Sequence, residues 1–133
     1  MIKFELSKAF HIGHEKIDAD HRDLVRILND MVDVFEAGDI PGCQHTWHLF
    51  CQRIEQHFGD EIKIMADFGY GEDDHEAGHQ KILARVIEIK NQAQSLKDWE
   101  DCLIEMRSEL LGWILKHDLI FAQHLVTIGY NPV

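Results

Sequence analysis

The spacing of the histidines constrains this chain most. His57 and Glu61 stand four residues apart, as do His75 and His79, while His21 and His117 occupy two further helix-like stretches. Residues four apart on a helix share one face, stacked a turn above each other. Four segments that each turn nitrogen or carboxylate donors toward one interior describe a helical bundle built around a metal centre. Imidazole with carboxylate suits iron, and a buried pair of irons points to oxygen chemistry.

The rest of the pattern is helical throughout. A first helix is expected from Asp18, as N-cap, to about Ala37, with His21, Leu24, Val25, Leu28, Val32 and Phe35 as its apolar stripe and Gly38 as its stop. Asp39 before Ile40-Pro41 opens a second helix running to about Asp67, and Phe68-Gly69-Tyr70-Gly71 breaks it. Asp73 or Asp74 caps a third, which fades near Ser95. A fourth opens at Asp98, carries Leu103, Met106, Leu110, Trp113, His117, Ile120, Phe121 and His124 on one face, and ends at Gly129 and Pro132. No stretch alternates as a strand does. The expected fold is all-α, an antiparallel up-down-up-down four-helix bundle. Residues 1–133 form one domain, with 1–13 an N-terminal arm anchored by Phe4 and Phe10, and 14–128 the bundle.

Composition excludes several classes of function. A net charge of −11 argues against nucleic acid and against an anionic membrane surface. No apolar run reaches transmembrane length. Met1–Phe10 scatters Lys3, Glu5 and Lys8 among apolar residues and does not read as a signal peptide. Three cysteines without a CxxC pair read as reduced thiols of a cytoplasmic protein.

Each candidate donor lies on its helix's apolar stripe. One histidine there would ordinarily be a hydrogen-bonded core residue. Six groups converging are different, because each unpartnered buried imidazole or carboxylate costs on the order of several kcal/mol in desolvation. A shared metal removes that cost.

The residues carrying this pattern resemble the hemerythrins, and more closely the bacterial hemerythrin-like (bacteriohemerythrin) domains, over nearly the whole chain. Ile17-Asp18-Ala19-Asp20-His21 is similar to the family's Asp-x-x-His signature, and Leu24 and Leu28-Asn29 follow it. His57-Phe58-Gly59-Asp60-Glu61 is similar to its His-Phe-x-x-Glu. Met65 and Gly69-Tyr70 precede His75-x-x-x-His79, and Trp113-Ile114-Leu115-Lys116-His117 is similar to Trp-Leu-x-x-His. The resemblance implies a non-haem di-iron centre of two iron ions with a bridging oxygen species. It implies that His75, His79 and His117 hold one iron, that His21 and His57 hold the other, and that Glu61 bridges them. It implies reversible binding of dioxygen, or another small diatomic ligand, without turnover.

The chain departs from the family at one ligand. An aspartate is expected five residues after the last-helix histidine, and Ala122 stands there. Asp118 is expected to point about 100° round the helix from His117, toward solvent. His124, seven residues past His117, returns to nearly the same face, and its side chain leans back toward the Ala122 level. Two readings of His124 follow: a terminal ligand on the second metal, or a core histidine bonded to a backbone carbonyl or a glutamate. With one carboxylate fewer, alternatives to oxygen carriage gain weight. These are a di-iron enzyme (peroxidase, oxidase or nitric oxide chemistry), an iron homeostasis protein, and mononuclear or non-iron binding. A sensor would signal through a separate signalling or redox partner protein.

Other residues support these readings. Asp18 and Asp20 precede His21; helix capping by Asp18 competes with a hydrogen bond to a ligand imidazole. Phe58, Leu28 and Phe121 are candidates for an apolar wall, and Trp113 for packing beside the site. His45 and His48 fall off the stripe. His11 and His14 belong to the arm, either at the surface or folded over a bundle end.

Overall fold

The computed structural model describes residues 3–71, 73–113 and 117–130, without the side chains of Asp73 and Asp74. A 3-10 turn at Lys8–Phe10 precedes five helices: α1 (Glu15–Glu36), α2 (Ile40–Asp67), α3 (Asp73–Gln92), α4 (Leu96–Trp113) and α5 (Leu119–Thr127). No strand occurs among the described residues. The chain is an antiparallel helical bundle in which α1 packs on α2 and α4, and α2 packs on α3. Three of the expected helices appear as whole units. The expected fourth is divided into α4 and α5; Ile114, Leu115, Lys116 and Pro132 lie outside the described residues. His117 and Asp118 take π-helical conformation immediately before α5.

Local chemistry sets the boundaries. At the end of α1, Gly38 adopts φ +71°, and its N–H reaches the Phe35 carbonyl at 3.0 Å while the Asp39 N–H reaches Val34 at 3.0 Å. This paired closure favours glycine, because the left-handed conformation penalises a Cβ. Asp39 then accepts from the Gly42 N–H at 2.9 Å as the N-cap of α2. Two starts differ from expectation. The N-cap of α1 is His14, whose Nδ1 accepts from Ile17 N–H at 3.4 Å. Asp18 sits inside the helix and accepts from Ile12 and Gly13 N–H at 2.8 and 3.1 Å, tying down the incoming arm. At α4, Ser95 and Asp98 form a reciprocal capping box. The Ser95 hydroxyl accepts from Asp98 N–H at 3.1 Å, and Asp98 accepts from Ser95 N–H at 3.1 Å. Asp98 is therefore in the first turn, and the helix begins before it.

The apolar core has two parts. The larger gathers Leu24, Leu28, Met31, Trp47, Phe50, Ile54, Val86, Trp99, Leu103 and Met106. The smaller joins Ile12, Ile17, Met65, Phe121 and Leu125. On α1, His21 lies between Ile17 and Leu24; on α2, Glu61 lies between Phe58 and Met65. The polar donors thus form a layer between two apolar clusters. Trp47 closes the larger cluster by donating Nε1–H to the Val86 carbonyl at 2.9 Å. Cys43, Cys51 and Cys102 are free and buried.

The arm is held by Asn29, whose side-chain amide pairs with the backbone of Phe4. Phe4 N–H donates to Asn29 Oδ1 at 2.6 Å, and Asn29 Nδ2 donates to the Phe4 carbonyl at 2.9 Å. Phe4 is thereby buried in the larger cluster, with the Arg107 guanidinium 5.1 Å from its ring centroid. Asn29→Ala is expected to destabilise the protein by about 1–2 kcal/mol through the two lost hydrogen bonds. Urea denaturation checks this, and an unchanged midpoint would show that the arm contributes nothing to the fold.

Candidate metal centre

Helix period brings the donors together. α2 presents His57 and Glu61 one turn apart, α3 presents His75 and His79, and α1 presents His21. All five are at most 3 % exposed. Glu61 is the meeting point. Its Oε1 lies 2.7 Å from His75 Nε2 and 3.2 Å from His79 Nε2. Its Oε2 lies 2.9 Å from His57 Nε2 and 3.8 Å from His21 Nε2.

A sixth group belongs to this layer. Asp118 is 1 % exposed, with Oδ2 at 2.9 Å from His21 Nε2 and Oδ1 at 3.4 Å from His75 Nε2. The expectation that it faces solvent assumed an unbroken α-helix, and the π-helical turn removes that assumption. The donor atoms form two groups with a mutual reach of 4.8 Å: His21, His57, Glu61 and Asp118 in one, Glu61, His75 and His79 in the other. Glu61 is common to both.

These contacts leave several atoms of the layer unsatisfied. Glu61 Oε2, His79 Nε2 and Asp118 Oδ1 are buried without a hydrogen-bond partner, although each lies near another donor of the layer. Buried polar atoms are ordinarily paired. Short separations without hydrogen-bond alignment suit atoms that share an ion, so the donor set fits a bound metal.

His117 and His124 stand outside both groups. The His117 ring stacks on Trp113 with centroids 3.8 Å apart and borders a cleft with Gly78, Lys81, Ser108 and Glu109. His124 Nε2–H donates to the Phe68 carbonyl at 3.0 Å, and its ring lies 5.3 Å from Tyr70. This is the backbone-carbonyl contact that one of its two expected readings describes. Ala122 packs against the smaller apolar cluster. His48 accepts a bond from Lys90 Nζ at 2.9 Å, away from the site. His14 stacks on Tyr130 at 5.9 Å, and Ile12 of the arm is buried with Phe121 and Leu125 at that end of the bundle.

The apolar surround is close. Phe58 lies flat on His79 with centroids 3.8 Å apart. Trp113 meets His75 and His79 at 5.1 and 5.3 Å. Gly78 makes room for it, since a Cβ there would stand 1.8 Å from Trp113 Cη2.

Behind His57 stands Asp20, which is 1 % exposed. His57 Nδ1–H donates to Asp20 Oδ2 at 2.9 Å, fixing the tautomer that turns Nε2 toward Glu61. Asp20 Oδ1 accepts from Arg53 at 2.5 Å and Lys16 at 2.7 Å, and Arg53 also holds Asp23 at 2.9 Å. The hydrogen bond to a candidate ligand imidazole therefore comes from Asp20.

Charge in this layer is strongly redistributed. Burial pushes the Glu61 carboxyl up, but the four imidazoles gathered around it outweigh this and hold it well below the usual range. Burial pushes Asp118 up, and the Glu61 charge adds to this, to about 6. Burial pushes His21 down, yet hydrogen bonds to Asp118 and Glu61 raise it to about 9. Burial also opposes charge on His57, and Asp20 and Glu61 overcome it to raise that imidazole. Burial raises the Asp20 carboxyl, while His57, Lys16 and Arg53 together bring it far below its ordinary value.

Comparison with known proteins gives the family. The hemerythrin HHE cation binding domain matches residues 12–122. The chain belongs to the hemerythrin family. It is similar to a myohemerythrin of Theromyzon tessulatum, 26% identical over 114 residues, covering 86% of this chain and 83% of that one. It is also similar to a bacteriohemerythrin of Aquifex aeolicus, 22% identical over 112 residues, covering 84% and 86% respectively. In this hemerythrin domain the layer of imidazoles and carboxylates lies between the two apolar clusters and could hold a metal ion.

Two predictions follow from the charges. Unfolded, His21 loses its proton near 6.5, but the metal-free fold keeps it to about 9. Its contribution is fully present below 6.5 and is lost as pH rises through 9. His57 acts in the same direction. The melting temperature of metal-free protein is therefore expected to fall between pH 6.5 and 9, and a flat calorimetric profile there contradicts this assignment. Asp20→Asn keeps a hydrogen-bond acceptor for His57 but removes the charge. Cobalt(II) affinity is expected to drop about 10–100-fold, measured against a chromophoric chelator; wild-type affinity would leave Asp20 with a purely structural role.

Proposed function

We propose that this chain is a non-haem di-iron protein that binds dioxygen reversibly, for storage, delivery or sensing. One observation carries the reading: within a hemerythrin bundle, Glu61 is shared between two buried groups of donors less than 5 Å across. A carboxylate in that position can bridge two ions, while His21 and His57 serve one and His75 and His79 the other. A pair of ferrous ions would supply the electrons that dioxygen takes up on binding and returns on release.

The chain's own residues prepare the site for such a ligand. Exposure of 3 % or less at each of these donors favours something small, such as dioxygen or another diatomic molecule. Phe58 covers His79, and Leu28 and Phe121 are fully buried in the clusters on either side of the layer. This apolar packing keeps water, and with it protons, from the bound ligand. Asp20 holds His57 in one orientation. No helix among the described residues is long and apolar enough to cross a membrane. The three buried free thiols suit the reducing cytoplasm.

The deciding experiment is the visible spectrum of protein loaded anaerobically with ferrous iron, recorded before oxygen, after oxygen and after argon purging. A coloured species that fades on purging is the expected result. Colour that persists, or bleaching with loss of iron, would overturn reversible binding and favour an oxidising enzyme or an iron-handling protein.

A further inference from the structure

We propose that Asp118, delivered by a π-helical turn, is the last helix's metal ligand, serving as the second carboxylate of the centre in place of the acid absent at Ala122. This inference rests on the di-iron reading above. Asp118 is 1 % exposed. It contacts His21 from one donor group and His75 from the other, at 2.9 and 3.4 Å, and its Oδ1 has no hydrogen-bond partner. A carboxylate so placed spans the same two groups that Glu61 joins.

The helix pattern supports this independently. Upstream, the buried residues Trp99, Leu103, Met106 and Leu110 lead at helical spacing to His117, seven past Leu110. Downstream, the buried residues Phe121 and Leu125 lead back to Asp118, three before Phe121. The two stripes are one residue out of step. One additional residue in a turn produces such a slip, and π-turns do this inside otherwise α-helical segments. His117 and Asp118 hold that conformation. The slip turns Asp118 inward, leaves His117 half-buried on Trp113, and gives Leu125 the inward place that an unbroken helix would give His124.

With Asp118 present, two carboxylates face the paired cations, so the charge deficit implied by Ala122 does not arise. The donor set becomes His21, His57, His75, His79, Glu61 and Asp118.

Anaerobic titration of ferrous iron into metal-free protein, with bound iron counted per chain, tests this. Wild type is expected to bind two ions. Asp118→Asn is expected to lose one of them or to bind it at least tenfold more weakly, and His117→Ala to keep both. Asp118→Asn with two ions at wild-type affinity, or His117→Ala that loses one, overturns the assignment to Asp118 while leaving the metal centre intact. Wild type that binds no iron overturns the di-iron reading itself, and this inference with it. Circular dichroism of the metal-free variants establishes that they fold. Should Asp118→Asn fail to fold, a crystal structure of zinc-loaded wild type decides. A carboxylate oxygen of Asp118 within about 2.2 Å of zinc supports the proposal, and one beyond hydrogen-bonding reach sinks it.

Discussion

The fold turns on one buried carboxylate. Glu61 is 0 % exposed, and imidazoles from α1, α2 and α3 crowd both of its oxygens. A lone carboxylate in that position would be strongly disfavoured by desolvation. It is held as a charge because four imidazoles face it. The three helices must therefore keep their axial register, since a shift of one turn would separate Glu61 from its partners. The apolar clusters on either side provide the cohesion, and the polar layer between them provides the alignment. That division of labour explains why a site of this polarity lies at the centre of the bundle.

From this layer a chain of alternating charge leads outward. Glu61 meets His57, His57 meets Asp20, Asp20 meets Arg53 and Lys16, and Arg53 meets Asp23 at the surface. From His57 to Asp20 and from Asp20 to Arg53 and Lys16 the contacts are hydrogen bonds between opposite charges, and such linked polar groups stiffen the part of the structure they join. Asp20 matters beyond orientation. A carboxylate on Nδ1 makes the opposite ring nitrogen a better donor, so its charge reaches the centre through the imidazole. Arg53 and Lys16 hold that carboxylate in place and keep it ionised.

How much could be read from residues alone follows the range of each interaction. The pairs His57/Glu61 and His75/His79 were legible because helical periodicity is local, and a buried stripe exposes it. The stops at Gly38 and Gly69 were legible for the same reason: left-handed closure needs glycine within a single turn. Pairings between elements were not. Asn29 binds the Phe4 backbone 25 positions away, and Asp20 binds His57 across 37, and no periodicity links such residues. Asp18 illustrates a nearer ambiguity. An aspartate at a helix start can cap its own helix or hold the segment before it, and here the backbone of Ile12 and Gly13 claimed it. The His124 alternatives were legible, but the choice between them depends on where the Phe68 carbonyl ends α2.

Asp118 escaped the sequence reading because phase accumulates. On an unbroken α-helix Asp118 stands about 80° from Leu110, whereas His117 stands about 20° from it on the other side. That arithmetic turns His117 and then His124 inward. The apolar residues favour the alternative. Full burial of a leucine is worth about 1.5–3 kcal/mol, and Leu125 is 2 % exposed after the slip. A π-turn forfeits roughly one helical hydrogen bond, a net loss of about 0.5–1.5 kcal/mol. Burying Leu125 offsets that loss before any metal is considered. Asp118 itself would be unfavourable in the core alone, but the charged His21 beside it supplies a partner. The irregular turn is thus supported by the packing below it and the imidazole opposite it. An acid moved four residues along the sequence can reach the same layer, because the helix that carries it gives up one step of its period.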